Sequence, residues 1–149
     1  MIEGVVVVPL RRIADERGTI SHMLRADDAH FRGFGEIYFS SIHPGVVKGW
    51  HRHDPATLNY VCVAGSIKLV LFDDREGSPT RGGLLELFLG QDEHKLVQIP
   101  PRVWNGFKAV GTATALVANC CTHAHGTFRS ERLPPFANHI PYDWAAKSH

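Results

Sequence analysis

The chain has 149 residues, the length of one ordinary domain with a core of its own, and nothing in its composition marks a second. Lysine and arginine number 16 against 15 acidic residues, a net charge of +1. That balance offers no global field for nucleic acid or an acidic membrane surface, so an anionic ligand must be held by local charge.

The first apolar run, Val5-Val6-Val7-Val8, follows Glu3 and is too short for a secretory signal or a bilayer span. Cys62, Cys120 and Cys121 are an odd number with no Cys-x-x-Cys pair, which reads as reduced thiols, mostly in the core. A cytoplasmic protein with neither a membrane nor a nucleic-acid partner is expected. Strand-like runs then recur at residues 4–8, 19–24, 36–42, 58–64, 66–72, 84–89, 95–99, 103–109 and 113–121, nearly all bounded by Gly, Pro, Asp or Ser. Residues 26–31 alone suggest a helical turn. The pattern predicts a single all-β domain over 1–149, an antiparallel barrel closed by curling as in a jelly roll, with a Pro-rich extended tail from about residue 133. In residues 66–72, alternation sets Ile67, Leu69 and Leu71 on one face and Lys68, Val70 and Phe72 on the other, so the second face is only partly apolar.

Ten histidines are present, and four of them form the pairs His51-x-His53 and His123-x-His125. Residues two apart on a strand share a face, and in a closed barrel that face can be the inner one. His51 and His53, with Gly45 before them and Gly65 closing the following turn, resemble the outline of a cupin metal motif. Such a site also needs a carboxylate four or five residues on and a histidine in a second motif. Those positions hold Thr57, Leu58 and Asn105 here. A metal-free cupin with no cofactor is therefore expected.

Four stretches in register over about residues 15–110 resemble the dTDP-4-dehydrorhamnose 3,5-epimerase family of the cupin superfamily. They are Asp15-Glu16-Arg17-Gly18, Gly45-Val46-Val47-Lys48-Gly49-Trp50-His51, Ser78-Pro79-Thr80 with Gly82, and Ile99-Pro100-Pro101 through Asn105-Gly106-Phe107. The resemblance implies a homodimeric jelly roll that binds a nucleotide-diphosphate sugar and inverts a carbon next to its C4 ketone. Such a reaction needs a base on one face, an acid on the other and a positive group for the enolate. His51 occupies the family's base position, and an imidazole of ordinary pKa about 6.5 is largely free to accept a proton at neutral pH. Lys48 stands where the family has an arginine. On a straight strand it faces away from His51, so sharing the pocket requires a bend or bulge. Arg17 matches the family's diphosphate contact, or pairs with Asp15 or Glu16; the resemblance implies that it serves a partner subunit's site. His53, Asn105 and Tyr60 are taken as further substrate contacts.

The C-terminal third departs from the family. Where the family has its acidic tyrosine, in a Thr-x-Tyr-Tyr segment, this chain reads Cys121-Thr122-His123-Ala124-His125, so His123 is the candidate acid. The carboxylate that orients the family's base has no counterpart in residues 133–138, and the family's thymine contacts become Ile20 and His22. A metal-independent epimerase of a nucleotide-linked 4-keto-6-deoxy sugar is the leading expectation. A 3,4-ketoisomerase, a non-catalytic sugar-nucleotide binding module and a metal-dependent cupin are the alternatives.

Overall fold

The structure, a computed structural model, describes residues 1–145. Its elements are β1 (Val6–Pro9), β2 (Arg12–Asp15), β3 (Gly18–Ser21), β4 (Glu36–Ile42), β5 (Val47–Asp54), β6 (Leu58–Ala64), β7 (Ser66–Phe72), β8 (Leu84–Gly90), β9 (Lys95–Ile99), β10 (Trp104–Ala109), β11 (Ala115–Cys121) and β12 (Arg129–Arg132). Ten of these form two five-stranded antiparallel sheets, in the orders β1-β9-β6-β11-β4 and β12-β5-β10-β7-β8, and β2 with β3 makes a separate hairpin. This is the all-β jelly roll that the spacing of the runs predicts. Residues 26–31 are turns rather than helix. β2, β5 and β12 fall outside the expected runs, because Arg-Ile-Ala-Asp, Arg-Ser-Glu-Arg and the polar end of β5, His-Arg-His-Asp, carry too little apolar alternation to announce themselves.

The chain crosses between sheets at sharp corners. Gly65, between β6 and β7, has φ +68°, and a Cβ there would lie 2.8 Å from the Ala115 Cα, so both conformation and space call for glycine. Inward residues of both sheets then form the main core, with Ile67, Leu69 and Leu71 of β7 packed among Leu58, Val97, Phe107 and Val117. Burial of this apolar face drives the closure of the sandwich.

The other face of β7 is buried as well. Residues after β12 fold back across the outside of their sheet, and Leu133, Ile140, Tyr142 and Trp144 pack against Trp50, Val70, Phe72 and Trp104. Lys108 Nζ donates to the Trp144 carbonyl at 3.1 Å, and the Lys68 ammonium sits 5.1 Å from the centre of the Tyr142 ring. The expected extended tail is thus a strap over a second core. It leaves the opposite side of β5, inside the barrel, to line a cavity.

Candidate active site

The cavity opens between the sheets, with β4 and β6 on one wall and β5 and β12 on the other. An outer chamber of about 450 Å³ contains His51, His53, Ser130 and Arg132, and it shares Tyr38, His51 and Tyr60 with an inner recess reached by Lys48 and Asn119. Lys48 reaches the His51 wall through a bulge. β10 advances two residues from Asn105 to Phe107 while β5 runs three, from His51 to Lys48. The extra residue restores the parity that a straight strand would break. Lys48 Nζ donates to Ser40 Oγ at 2.8 Å and to the Ser41 carbonyl at 2.6 Å, leaving its third proton for a ligand.

Electrostatics favour a neutral His51. Its partial burial lowers the imidazole pKa below the usual value, and the Arg132 and Lys48 cations lower it further. His53 is lowered to about 4 by burial, with contributions from His51 and Arg132. Its Nδ1 is 2.8 Å from Ser130 Oγ, and the Phe128 ring meets it edge-on, which fixes the imidazole against β12. At pH 7 both rings are free to accept protons. Among the described residues no side chain hydrogen-bonds the His51 ring.

Two tyrosines line the same cavity with different hydrogen-bonding roles. Asn105, 1% exposed, donates through Nδ2 to the His51 carbonyl at 3.0 Å, which leaves its Oδ1 to accept the Tyr60 hydroxyl at 3.1 Å. The Tyr60 proton is therefore engaged. On the other side of the recess, Asn119 Oδ1 accepts the Asn59 N–H at 3.1 Å, and its Nδ2 donates to the Tyr38 hydroxyl oxygen at 2.9 Å. The Asn59 side chain is itself held, giving a hydrogen bond to the Cys120 carbonyl and taking one from Gln98. A backbone donor thus settles which way Asn119 points, and Tyr38 accepts rather than donates along this chain. Burial raises the Tyr38 phenol above its usual pKa, with the Asn119 hydrogen bond opposing the rise, so it stays protonated near neutrality.

The remaining candidates lie elsewhere. Asn105 stands behind the wall, engaged by Tyr60 and the β5 backbone, rather than on the wall as a substrate contact would. His123 is not among the residues lining the cavity. β11 ends at Cys121, the parity expected of a strand stops there, and the His123 ring turns to Thr122 Oγ1 at 2.8 Å. His125 lies at the mouth instead. Arg17, at the tip of the β2–β3 hairpin, is exposed and ion-paired with Asp15 at 2.7 Å. Sequence reasoning missed Tyr38, Arg132 and Asn119. The alternation of residues 36–42 already put Glu36, Tyr38 and Ser40 on one face, so Tyr38 was within reach; Arg132 was not, because β12 went unread. Among the described residues no group of three or more His, Cys, Asp or Glu is placed to hold a metal ion, and no helix is long and apolar enough to cross a membrane.

Comparison with known proteins agrees with this fold. Residues 1–148 match the family model described as dTDP-4-dehydrorhamnose 3,5-epimerase. The probable low-salt glycan biosynthesis epimerase Agl13 of Haloferax volcanii is 37% identical over 99% of this chain and 97% of its own. The crystal structure of a dTDP sugar isomerase from Desulfovibrio desulfuricans G20 superposes with a TM-score of 0.94 at 46% identity, covering 99% of this chain and 94% of that one. The dTDP-6-deoxy-D-glucose-3,5-epimerase RmlC of Legionella pneumophila, solved with dTDP-4-keto-L-rhamnose, shares the fold at a TM-score of 0.84 and 23% identity, over 98% and 81% of the two chains. A barrel of this topology, matched over nearly its whole length, belongs to the dTDP-4-dehydrorhamnose 3,5-epimerase family and is a sugar epimerase, an enzyme of the isomerase class.

Proposed function

We propose that the protein epimerises a nucleotide-linked 4-keto-6-deoxy sugar without a metal, using His51 to remove a proton from a carbon next to the C4 ketone. The observation that carries this reading is one cavity wall on which a neutral imidazole and the Lys48 ammonium stand together, brought there by the β5 bulge. Proton loss to His51 breaks a C–H bond whose electrons pass into the enolate, and Lys48 opposes the oxyanion with its charge. The carbonyl itself acidifies the carbon for proton removal. His53 and Tyr60 line the sugar's surroundings.

The nucleotide-sugar substrate is carried over from the family and from the Legionella protein's ligand. Arg17 then reaches a diphosphate as part of a homodimer, from the partner's side, because its hairpin stands off its own cavity with Ile13 and Ile20 exposed. We place the reaction in the cytoplasm, where Cys62, Cys120 and Cys121, all buried and free, remain thiols. The test is incubation in D2O with dTDP- and UDP-linked 4-keto-6-deoxy sugars. Deuterium enters C3 or C5 with the native protein, and His51→Asn abolishes the exchange. No exchange with any such sugar would leave a binding module, and a moved carbonyl would mark a ketoisomerase.

A further inference from the structure

Removing a proton from one face of a carbon makes an epimer only if another group returns a proton to the opposite face. The segment where the family resemblance implies an acidic tyrosine reads Cys121-Thr122-His123-Ala124-His125 here, so the acid must be another side chain. Apart from His53 and Lys48, which stand on β5 with His51, five side chains with a transferable proton come into question: Tyr60, His123, His125, Glu36, which lines the outer chamber alone, and Tyr38. Tyr60 is deeply buried, and its proton is directed at Asn105 Oδ1, whose partner is fixed by the His51 carbonyl. His123 is turned away onto Thr122. His125 lies in an exposed turn at the mouth.

Tyr38, 41% exposed and so open to solvent like His125, differs in its placement and its hydrogen bonding. It projects from β4 of one sheet, across the cavity from His51 on β5 of the other, and it lines both the outer chamber and the inner recess with that histidine. Its oxygen receives the Asn119 Nδ2 donor at 2.9 Å, while Asn119 is locked by the Asn59 backbone N–H. A donor held in that orientation leaves the phenolic O–H free for a ligand and also steadies the phenolate that remains after proton transfer.

We propose that Tyr38 is the general acid of this site, supplied from β4 in place of the tyrosine missing after β11. The inference rests on the epimerase reading above. His51 takes the proton from one face, the enolate carbon forms its new C–H bond with the Tyr38 proton on the other, and the Tyr38 phenolate and the His51 imidazolium exchange with solvent at the open mouth, so no net proton is gained or lost. Asn119 is a positioning residue for this step.

The experiment follows dTDP-4-keto-6-deoxyglucose in D2O by NMR, reading deuterium entry and configuration separately. Tyr38→Phe is expected to lose epimerised product by about 10²- to 10⁴-fold. It should still wash deuterium into the same carbon with configuration retained, because His51 can return a deuteron to the face it deprotonated. Persistent wash-in also reports a folded, substrate-binding protein. As a second variant, 3-fluorotyrosine at position 38 keeps the hydroxyl and should keep epimerisation. Tyr38→Phe epimerising within about threefold of the native rate, or a Tyr60→Phe or His125→Ala variant giving this signature in its place, would overturn the assignment. Absence of exchange in the native protein would instead overturn the epimerase reading on which it stands.

Discussion

Arg132 faces His51 directly, since the two are paired across β12 and β5 and both line the cavity. A guanidinium beside an imidazole disfavours the second positive charge, so with burial and Lys48 it keeps the folded-state pKa of His51 below 6.5. The proposed base is therefore neutral at pH values where an ordinary histidine would be protonated. Arg132→Ala should move the His51 ring titration upward, toward but not past 6.5, because burial, the larger cause, remains. The acid limb of kcat/KM should rise in step, with histidine-ring NMR and a pH profile as the two measurements. An unmoved titration would mean that Arg132 acts on the ligand alone. At this scale the sequence pointed to His51 as a cavity residue, because its motif is local. It withheld Lys48's orientation, which depends on a bulge, and Arg132's presence, which depends on a strand with almost no hydrophobic signature.

The bulge and the strap are one packing unit at the scale of elements. Gly49 and Gly106 face each other across β5 and β10, and Trp144 lies over them; a Cβ on Gly106 would come within 2.9 Å of Trp144 Cζ2 and 3.3 Å of the Gly49 Cα. Trp144, 1% exposed, should cost about 3–5 kcal/mol of stability when replaced by alanine. Gly106→Ala should cost about 1–3 kcal/mol through overpacking. Because the clash is with Trp144, the double variant should be less destabilised than the two losses added, a coupling read by urea denaturation of all four proteins. Strict additivity would show that the strap does not rest on these glycines. Ser78-Pro79-Thr80, legible as a motif, has a structural explanation. Ser78 and Thr80 donate to the fully buried Asp73 carboxylate at 2.6 and 2.7 Å and tie the turn between β7 and β8, away from the cavity. The strap was read as a tail because its apolar residues, Leu133, Ile140, Tyr142 and Trp144, are spaced irregularly among prolines and follow neither a strand nor a helix period.

For the whole molecule, the jelly roll was legible because nine runs of strand residues were punctuated by turn formers, whereas an assembly leaves no such periodic mark. The β2–β3 hairpin is exposed along its entire length, and Arg12 ties it to the body through Gln91, with Nη2 3.0 Å from Oε1. A two-stranded hairpin is marginal on its own, and the exposed Ile37 and Phe39 of edge strand β4 offer apolar surface on the same subunit for a partner to cover. If the hairpin of one subunit completes the cavity of the next, His51 and Arg17 of any one site belong to different chains. Mixing the inactive variants His51→Asn and Arg17→Ala, after unfolding and refolding together, then creates hybrid dimers. One of the two sites in each hybrid draws an intact His51 from the Arg17 variant and an intact Arg17 from the His51 variant. Random pairing makes half the dimers hybrid, so about a quarter of native activity should return. If both residues serve the same chain's site, every site in the mixture carries a defect and nothing returns. The two outcomes differ without any assumption about which sugar the enzyme prefers.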